Sequence, residues 1–252
     1  MNAISIAFAV CVGIVLGAVL FETLRITWYL CISRLMTLST MRFERLDAPG
    51  TERILFVGDS TGYGTGTSHE RYSLVGRLGA DFPSAYIENC SKTGRKLKGA
   101  ERLLRRKADD PAQRAFDLAI IMVGGMNVLY GTRLSAVRKM VDRMLAHAKR
   151  CSRTVVLVSS NDPGAAPLFR PPLSGIYRRR AGAFASVYAE AAHDAGVIHV
   201  SLFREHPDEL VEKHLFSADK THPNDAGYAV WYNRIKEAIP DIHAGHDGTG
   251  IE

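Results

Sequence analysis

Residues 54–66 read ILFVGDSTGYGTG. Four apolar residues, Ile54 to Val57, run without a break into Gly58-Asp59-Ser60, and glycine returns at positions 62, 64 and 66. A short, continuously apolar run bounded by turn residues reads as a strand buried on both faces. Such a strand needs parallel neighbours and covering helices, so the stretch predicts an α/β sheet with Ser60 just past a strand's carboxyl end. Ligands of these sheets bind in the crevice at that edge.

The rest of the chain agrees. Strands are predicted at Ile54–Val57, Ala85–Glu88, Leu118–Val123, Thr154–Ser159 and Val197–Leu202. Helical patterns lie between them at Tyr72–Asp81, Lys96–Ala108, Leu134–Lys149 and Arg178–Ala195, followed by Pro207–Lys213 and Asp225–Ala238. Strands alternating with helices give a parallel sheet covered on both sides.

Ahead of this body, Ala3 to Phe21 contains no charged residue, which is about the length a helix needs to cross the hydrocarbon layer. A cleaved signal peptide would want a basic start and a small-x-small site, but Met1-Asn2 carries no side-chain charge and the run ends Val19-Leu20-Phe21. The expected organisation is therefore an anchor over 1–24, a juxtamembrane linker over 25–50, a folded body over 51–240 and a disordered tail over 241–252. The linker segment ITWYLCISRLMTL (26–38) suits either the headgroup layer or a prolonged anchor. Arg25, Arg34, Arg42 and Arg45 all follow the apolar run and none precedes it, which favours a cytoplasmic body, with the periplasmic or extracellular side as the alternative.

With 252 residues and 46% hydrophobic content, one domain with an ordinary core is expected beside the anchor. Cys11, Cys31, Cys90 and Cys151 form no CxxC pair and no disulfide framework. The net charge of +6 and the basic segment from Lys92 to Lys107 invite a nucleic-acid reading, but no helix-turn-helix, zinc-finger or RNA-stacking signature accompanies them. Anionic lipid headgroups or a solvated helix face account for them instead. His243 and His246 lie in the polar tail, where a floppy end outweighs a metal site.

Three readings of Gly58-Asp59-Ser60 compete. The plainest is a strand-to-helix turn with a capping hydroxyl. The second notes that Gly58-Asp59-Ser60-Thr61-Gly62 fits G-x-S-x-G, the nucleophile elbow. That elbow follows several earlier strands, for which the segment before residue 54 leaves no room. The third makes Ser60 a nucleophile, and it gains from SADKTHPNDAGY at 217–228. A serine hydroxyl needs a base; an imidazole supplies it, and a carboxylate on the other ring nitrogen fixes the tautomer. Asp219 and His222, three apart in one loop, can present both groups.

Four blocks taken together resemble the SGNH (GDSL-type) hydrolase family over residues 53–239. They are the opening stretch, Asn89-Cys90-Ser91-Lys92-Thr93-Gly94 after the second strand, Gly125-Met126-Asn127 after the third, and Asp219-Lys220-Thr221-His222. The resemblance implies a three-layer αβα sandwich around a five-stranded parallel sheet of flavodoxin-like order. It also implies Ser60 as nucleophile, Asp219 and His222 completing a triad, and an oxyanion hole from Ser60, Gly94 and Asn127, with no metal or organic cofactor. Many relatives carry Asp directly after the third-block Asn; this chain has Val128. Glycines 62, 64 and 66 are expected to turn the chain sharply and leave Ser60 uncovered.

Asn161-Asp162-Pro163-Gly164 reads as a turn, and the irregular piece 162–177 as a wall or lid in which Leu168, Phe169 and Ile176 either line an acyl channel or pack the loop. The expected function is a membrane-anchored serine ester hydrolase acting on lipid or other acyl (thio)esters, with no nucleic-acid partner. The alternatives are deacylation of an envelope polysaccharide and a catalytically silent module that binds acyl ligands.

Overall fold

A computed structural model describes residues 3–112, 114–159, 161–203 and 209–239. With no proline before Pro49, the apolar start forms one helix, α1 (Ala3–Ser39). From Ile4 to Ser39 it is long and apolar enough to cross a membrane, with a mean hydropathy of 2.8 and its apolar window uncovered by the rest of the chain; a signal sequence meets the same criteria. The segment expected as a linker over 25–50 is thus helical as far as Ser39. The expected tail, 241–252, lies outside the described residues.

β1 (Arg53–Gly58) opens the body and runs into a single helical turn, α2 (Ser60–Tyr63). Helix α3 (Leu74–Asp81) starts two residues later than its pattern predicts, because Ser73 Oγ accepts from Gly76 N–H and caps it there. Then come β2 (Tyr86–Asn89), α4 (Leu97–Asp109), β3 (Phe116–Met122), α5 (Gly125–Leu129), α6 (Leu134–Cys151) and β4 (Ser152–Ser159). The chain closes with α7 (Leu173–Ala195), β5 (Ile198–Ser201), α8 (Glu209–Glu212) and α9 (Asp225–Lys236). The first two residues of the helix expected at Pro207–Lys213 lie outside the described residues.

All strands are parallel, in the order β2-β1-β3-β4-β5. Side chains alternate between two buried faces, as the strand period requires. Leu55, Val57, Ala119, Ile121 and Leu157 pack with α4, α6 and α7, while Ile54, Phe56, Ile120 and Val158 pack with α3 and α9. The outer edge of β2 is covered by Arg45, whose N–H donates to Ile87 O at 2.9 Å while Ile87 N–H donates to Arg45 O at 2.7 Å. The Arg45 guanidinium also donates to Phe82 O at 2.8 Å and Gly79 O at 3.1 Å.

Candidate active site

Ser60 begins the one-turn helix α2. Asp59 caps it, its Oδ1 accepting from Thr61 N–H at 3.1 Å and Thr61 Oγ1 at 2.8 Å. Gly64, with φ +96°, closes the turn by donating to Ser60 O and Thr61 O. The glycines divide their work otherwise than the sequence suggests. Gly62 is buried, and a β-carbon there would meet Ser91 Oγ and stand 2.6 Å from Phe56 Cε1, so it allows close packing. Gly66, with φ +103°, lets the Ser60 loop approach the C-terminal loop: a β-carbon would strike Pro223 O and lie 3.1 Å from His222 Cβ.

That C-terminal loop is a closed turn between α8 and α9. Phe216 pairs with Pro223, Ser217 N–H donates to His222 O at 2.8 Å, and Lys220 takes the left-handed conformation at φ 59°. Asn224 then caps α9 by accepting from Gly227 N–H. Inside the turn, Asp219 is fully buried and accepts four hydrogen bonds. Oδ1 takes Ser217 Oγ–H at 2.9 Å and the N–H groups of Thr221 and His222 at 3.0 Å; Oδ2 lies 2.6 Å from His222 Nδ1. Burial alone would raise the pKa of Asp219, but the imidazole and the backbone donors outweigh it and hold the group well below the usual carboxylate range. A carboxylate at Nδ1 places the ring proton there and leaves Nε2 as the acceptor, 2.8 Å from Ser60 Oγ.

Ser60 follows β1, Gly94 follows β2 and Asn127 follows β3, so three adjacent strands bring these residues to one edge of the sheet. Gly94 is exposed at φ +72° with open space around it. Asn127 is buried within α5; its Oδ1 accepts from Leu97 N–H at 2.9 Å, and Nδ2 donates to Thr132 Oγ1 at 3.1 Å. An amide nitrogen carries two hydrogens, so one is left for a ligand. Val128 is fully buried in the core beneath α5. Support for this loop comes instead from Arg180, which donates to Val128 O at 3.1 Å and Thr132 O at 2.8 Å.

Three supports escaped the sequence reading. Asn89 Nδ2 donates to Gly62 O at 3.1 Å and Phe43 O at 3.0 Å, and its Oδ1 accepts from Ser91 N–H, which ties the end of β2 to the serine turn. Tyr228 Oη donates to Thr65 O at 2.6 Å and links α9 to the same turn. Thr132 is the third. The one available signal was for Asn89, a polar residue closing a buried strand.

Asp162 accepts from Gly164 N–H at 2.8 Å and pairs, fully buried, with Arg178 at 2.9 Å, so the turn read at 161–164 is pinned to α7. Residues 173–177, read as loop, are the first turn of α7. Leu168 is buried by packing, whereas Ile176 is half exposed. His69 is exposed and caps the short turn Glu70–Tyr72.

A serine, an imidazole and a buried carboxylate in hydrogen-bonded series, at the carboxyl edge of a parallel αβα sandwich, define the serine-hydrolase class of site. The sequence model of the GDSL-like lipase/acylhydrolase family matches residues 56–230. The chain belongs to that family and is an ester hydrolase. Its fold is similar to a GDSL-family lipolytic protein from Veillonella parvula, with a TM-score of 0.59 and 16% identity over 75% of this chain and 98% of the other. It is similar to the esterase EstA from Pseudoalteromonas (TM-score 0.57, 16% identity, 74% of this chain and 96% of the other). An acetyl xylan esterase from Geobacillus stearothermophilus also aligns (TM-score 0.56, 18% identity, 77% of this chain and 96% of the other). No curated protein matches the sequence.

Proposed function

We propose that the protein is a membrane-anchored serine hydrolase that cleaves carboxylic esters or thioesters of lipid-like acyl substrates through Ser60, His222 and Asp219. The observation that carries this reading is the unbroken series Asp219 Oδ2–His222 Nδ1 at 2.6 Å and His222 Nε2–Ser60 Oγ at 2.8 Å. In the reaction, Ser60 Oγ attacks the acyl carbon as His222 Nε2 takes its proton, and Asp219 stabilises the imidazolium. The Ser60 and Gly94 N–H groups and the free amide hydrogen of Asn127 receive the negative charge on the carbonyl oxygen; losing one such donor costs about 10²–10³ in turnover. His222 returns the proton to the leaving alcohol or thiol, then activates water, which releases the acid and restores Ser60. The anchor is α1, and the arginines after its apolar run favour a cytoplasmic body.

The Pseudoalteromonas esterase structure is one inhibited by monoethylphosphonate, and reagents of that class test this chain. A fluorophosphonate probe is expected to label the wild type and not Ser60→Ala. Failure to label the wild type overturns the reading in favour of a silent acyl-binding module. An ester panel then sets the class: preference for acetyl over long chains replaces lipid with polysaccharide deacylation. A reporter active only in the periplasm, fused at the C-terminus, is expected to stay dark.

A further inference from the structure

The second half of α1 does not stop at the membrane; it lies across the crevice. Arg25 Nη2 donates to Leu168 O at 2.6 Å, in the loop after β4, and Glu22 pairs with Arg170 at 3.1 Å. Three turns further on, Thr37 Oγ1 lies 3.2 Å from Thr65 Oγ1, and Thr65 N–H donates to Ser60 O at 3.0 Å. Beside this contact a cavity of about 300 Å³ is lined by Leu30, Ser33, Arg34, Thr37 and Leu38 of α1, and by Thr93 next to Gly94. In the strand order β2-β1-β3-β4-β5, a helix that touches the loops after β4 and β1 and faces Thr93, after β2, across the cavity passes over the ends of β3 and β1, which deliver Asn127 and Ser60. The lengths agree. Arg25 to Thr37 spans roughly 18 Å at about 1.5 Å per residue, and three strand spacings come to roughly 14 Å.

The lining has two chemistries. Leu30, Arg34 and Leu38 succeed one another at four-residue steps and so form one stripe of the helix. Arg25 is paired with Glu22 and Arg42 with Glu44, but no carboxylate pairs with Arg34 among the described residues. Ser33 and Thr93 bring hydroxyl donors to the same cavity, while Thr37 Oγ1 already donates to Ser33 O at 2.9 Å. A guanidinium with neighbouring hydroxyl donors suits a phosphate, and flanking leucines suit a hydrocarbon chain. We propose that α1 is one wall of the substrate site, with Arg34 selecting acyl esters that carry an anionic phosphate headgroup and Leu30 and Leu38 lying along the chain. This rests on the serine-hydrolase reading above. The apolar helix then both tethers the enzyme and supplies part of its specificity, and a single-chain amphiphile reaches Ser60 along the helix from the bilayer.

The test uses the full chain in nonionic micelles with two substrates of equal acyl length, a neutral monoacylglycerol and its glycerol-phosphate counterpart. The wild type is expected to favour the phosphate ester by about tenfold or more in kcat/KM, the size expected for one charge-assisted contact. Arg34→Gln is expected to erase that preference and leave the neutral substrate within about twofold, while Arg179→Gln, on exposed α7 surface, keeps it. Leu38→Trp, which adds bulk at the wall of the cavity, is expected to lower both rates. The rate of labelling by a small fluorophosphonate reports the triad in every variant. Normal labelling with no phosphate preference, or with a preference that survives Arg34→Gln, overturns the role of α1 and leaves the hydrolase reading standing. A wild type that neither labels nor hydrolyses overturns the hydrolase reading itself.

Discussion

Replacing Asp219 by Asn tests the site at its least visible member. Oδ1 of Asp219 receives three donors, Ser217 Oγ–H, Thr221 N–H and His222 N–H, so the carboxamide oxygen is held there. The NH₂ group must then face His222 Nδ1 across what is a 2.6 Å contact in the wild type. The imidazole can satisfy it only by accepting at Nδ1, which moves the ring proton to Nε2, opposite Ser60 Oγ at 2.8 Å. A base already protonated on its working nitrogen cannot take the serine proton. The expected loss is about 10⁴ in kcat, equivalent to about 5.4 kcal/mol of transition-state stabilisation at roughly 1.36 kcal/mol per decade. Asp219→Ala differs in kind: it strips the acceptor from the His222 and Thr221 N–H groups, at about 1–3 kcal/mol for each left unpaired, while Ser217 Oγ–H keeps His222 O at 3.0 Å. Kinetics of ester hydrolysis and thermal melting of both variants separate the two effects. The Asn protein is expected to be folded but inactive, melting below the wild type by less than the Ala protein does. A folded Asn variant retaining more than about a tenth of wild-type kcat would refute the tautomer argument.

The same carboxylate predicts an acid limb of stability. Its folded pKa lies below the unfolded value, so its contribution is complete above the ordinary carboxylate range near 3.9 and drains away as pH falls from there towards the folded value. The stability gap between wild type and Asp219→Asn, from urea titrations, is therefore expected to be flat from neutrality to about pH 5 and to shrink below about pH 4. Thr132→Val removes the acceptor that steadies Asn127 Nδ2 and is expected to lower kcat about tenfold with KM nearly unchanged, since in the proposed mechanism the amide acts on the transition state. Gly66→Ala drives a methyl into Pro223 O at a positive φ; a loss of about 1–3 kcal/mol in melting experiments, with lower turnover as the two loops part, is expected. Arg45→Ala takes charged donors from Phe82 O and Gly79 O at the β2 edge and is expected to cost about 1.5–3 kcal/mol by denaturant titration, with kcat retained in the folded fraction.

The sheet was legible because its strands are buried on both faces and read as uninterrupted apolar runs. Ser60, Asp219 and His222 were legible as a set only because the resemblance joins blocks that chain distance separates. What the sequence hid has identifiable causes. The start of α7 was masked by Pro171-Pro172 before Leu173 and by Gly175 in its first turn, which suggest a loop although proline is well placed just ahead of a helix. The lie of α1 over the crevice depends on a side chain reaching a backbone carbonyl, Arg25 to Leu168 O, and no periodicity records such a contact. The support of Asn127 comes from beyond the residue that follows it. Position 128 points into the core as valine, and the hydroxyl that meets the amide comes from Thr132, after the helix has ended.

Two buried acids lie close enough to His222 to interact with it, and their surroundings differ. Asp59 adjoins the nucleophile in the opening motif, while Asp219 is distant from it along the chain. The number and placement of donors decide. Asp219 is surrounded by four, which makes its ionised form the stable one in spite of burial. At Asp59 burial dominates and pushes the pKa up, with Thr61 supplying its side-chain hydrogen bonds through one oxygen. A group whose charged form is disfavoured is a poor counter-ion for an imidazolium but an adequate cap for a one-turn helix, which needs only an acceptor. Asp59 therefore shapes the turn that carries Ser60, and the closed loop suits Asp219 to the part the proposed mechanism gives it, holding His222.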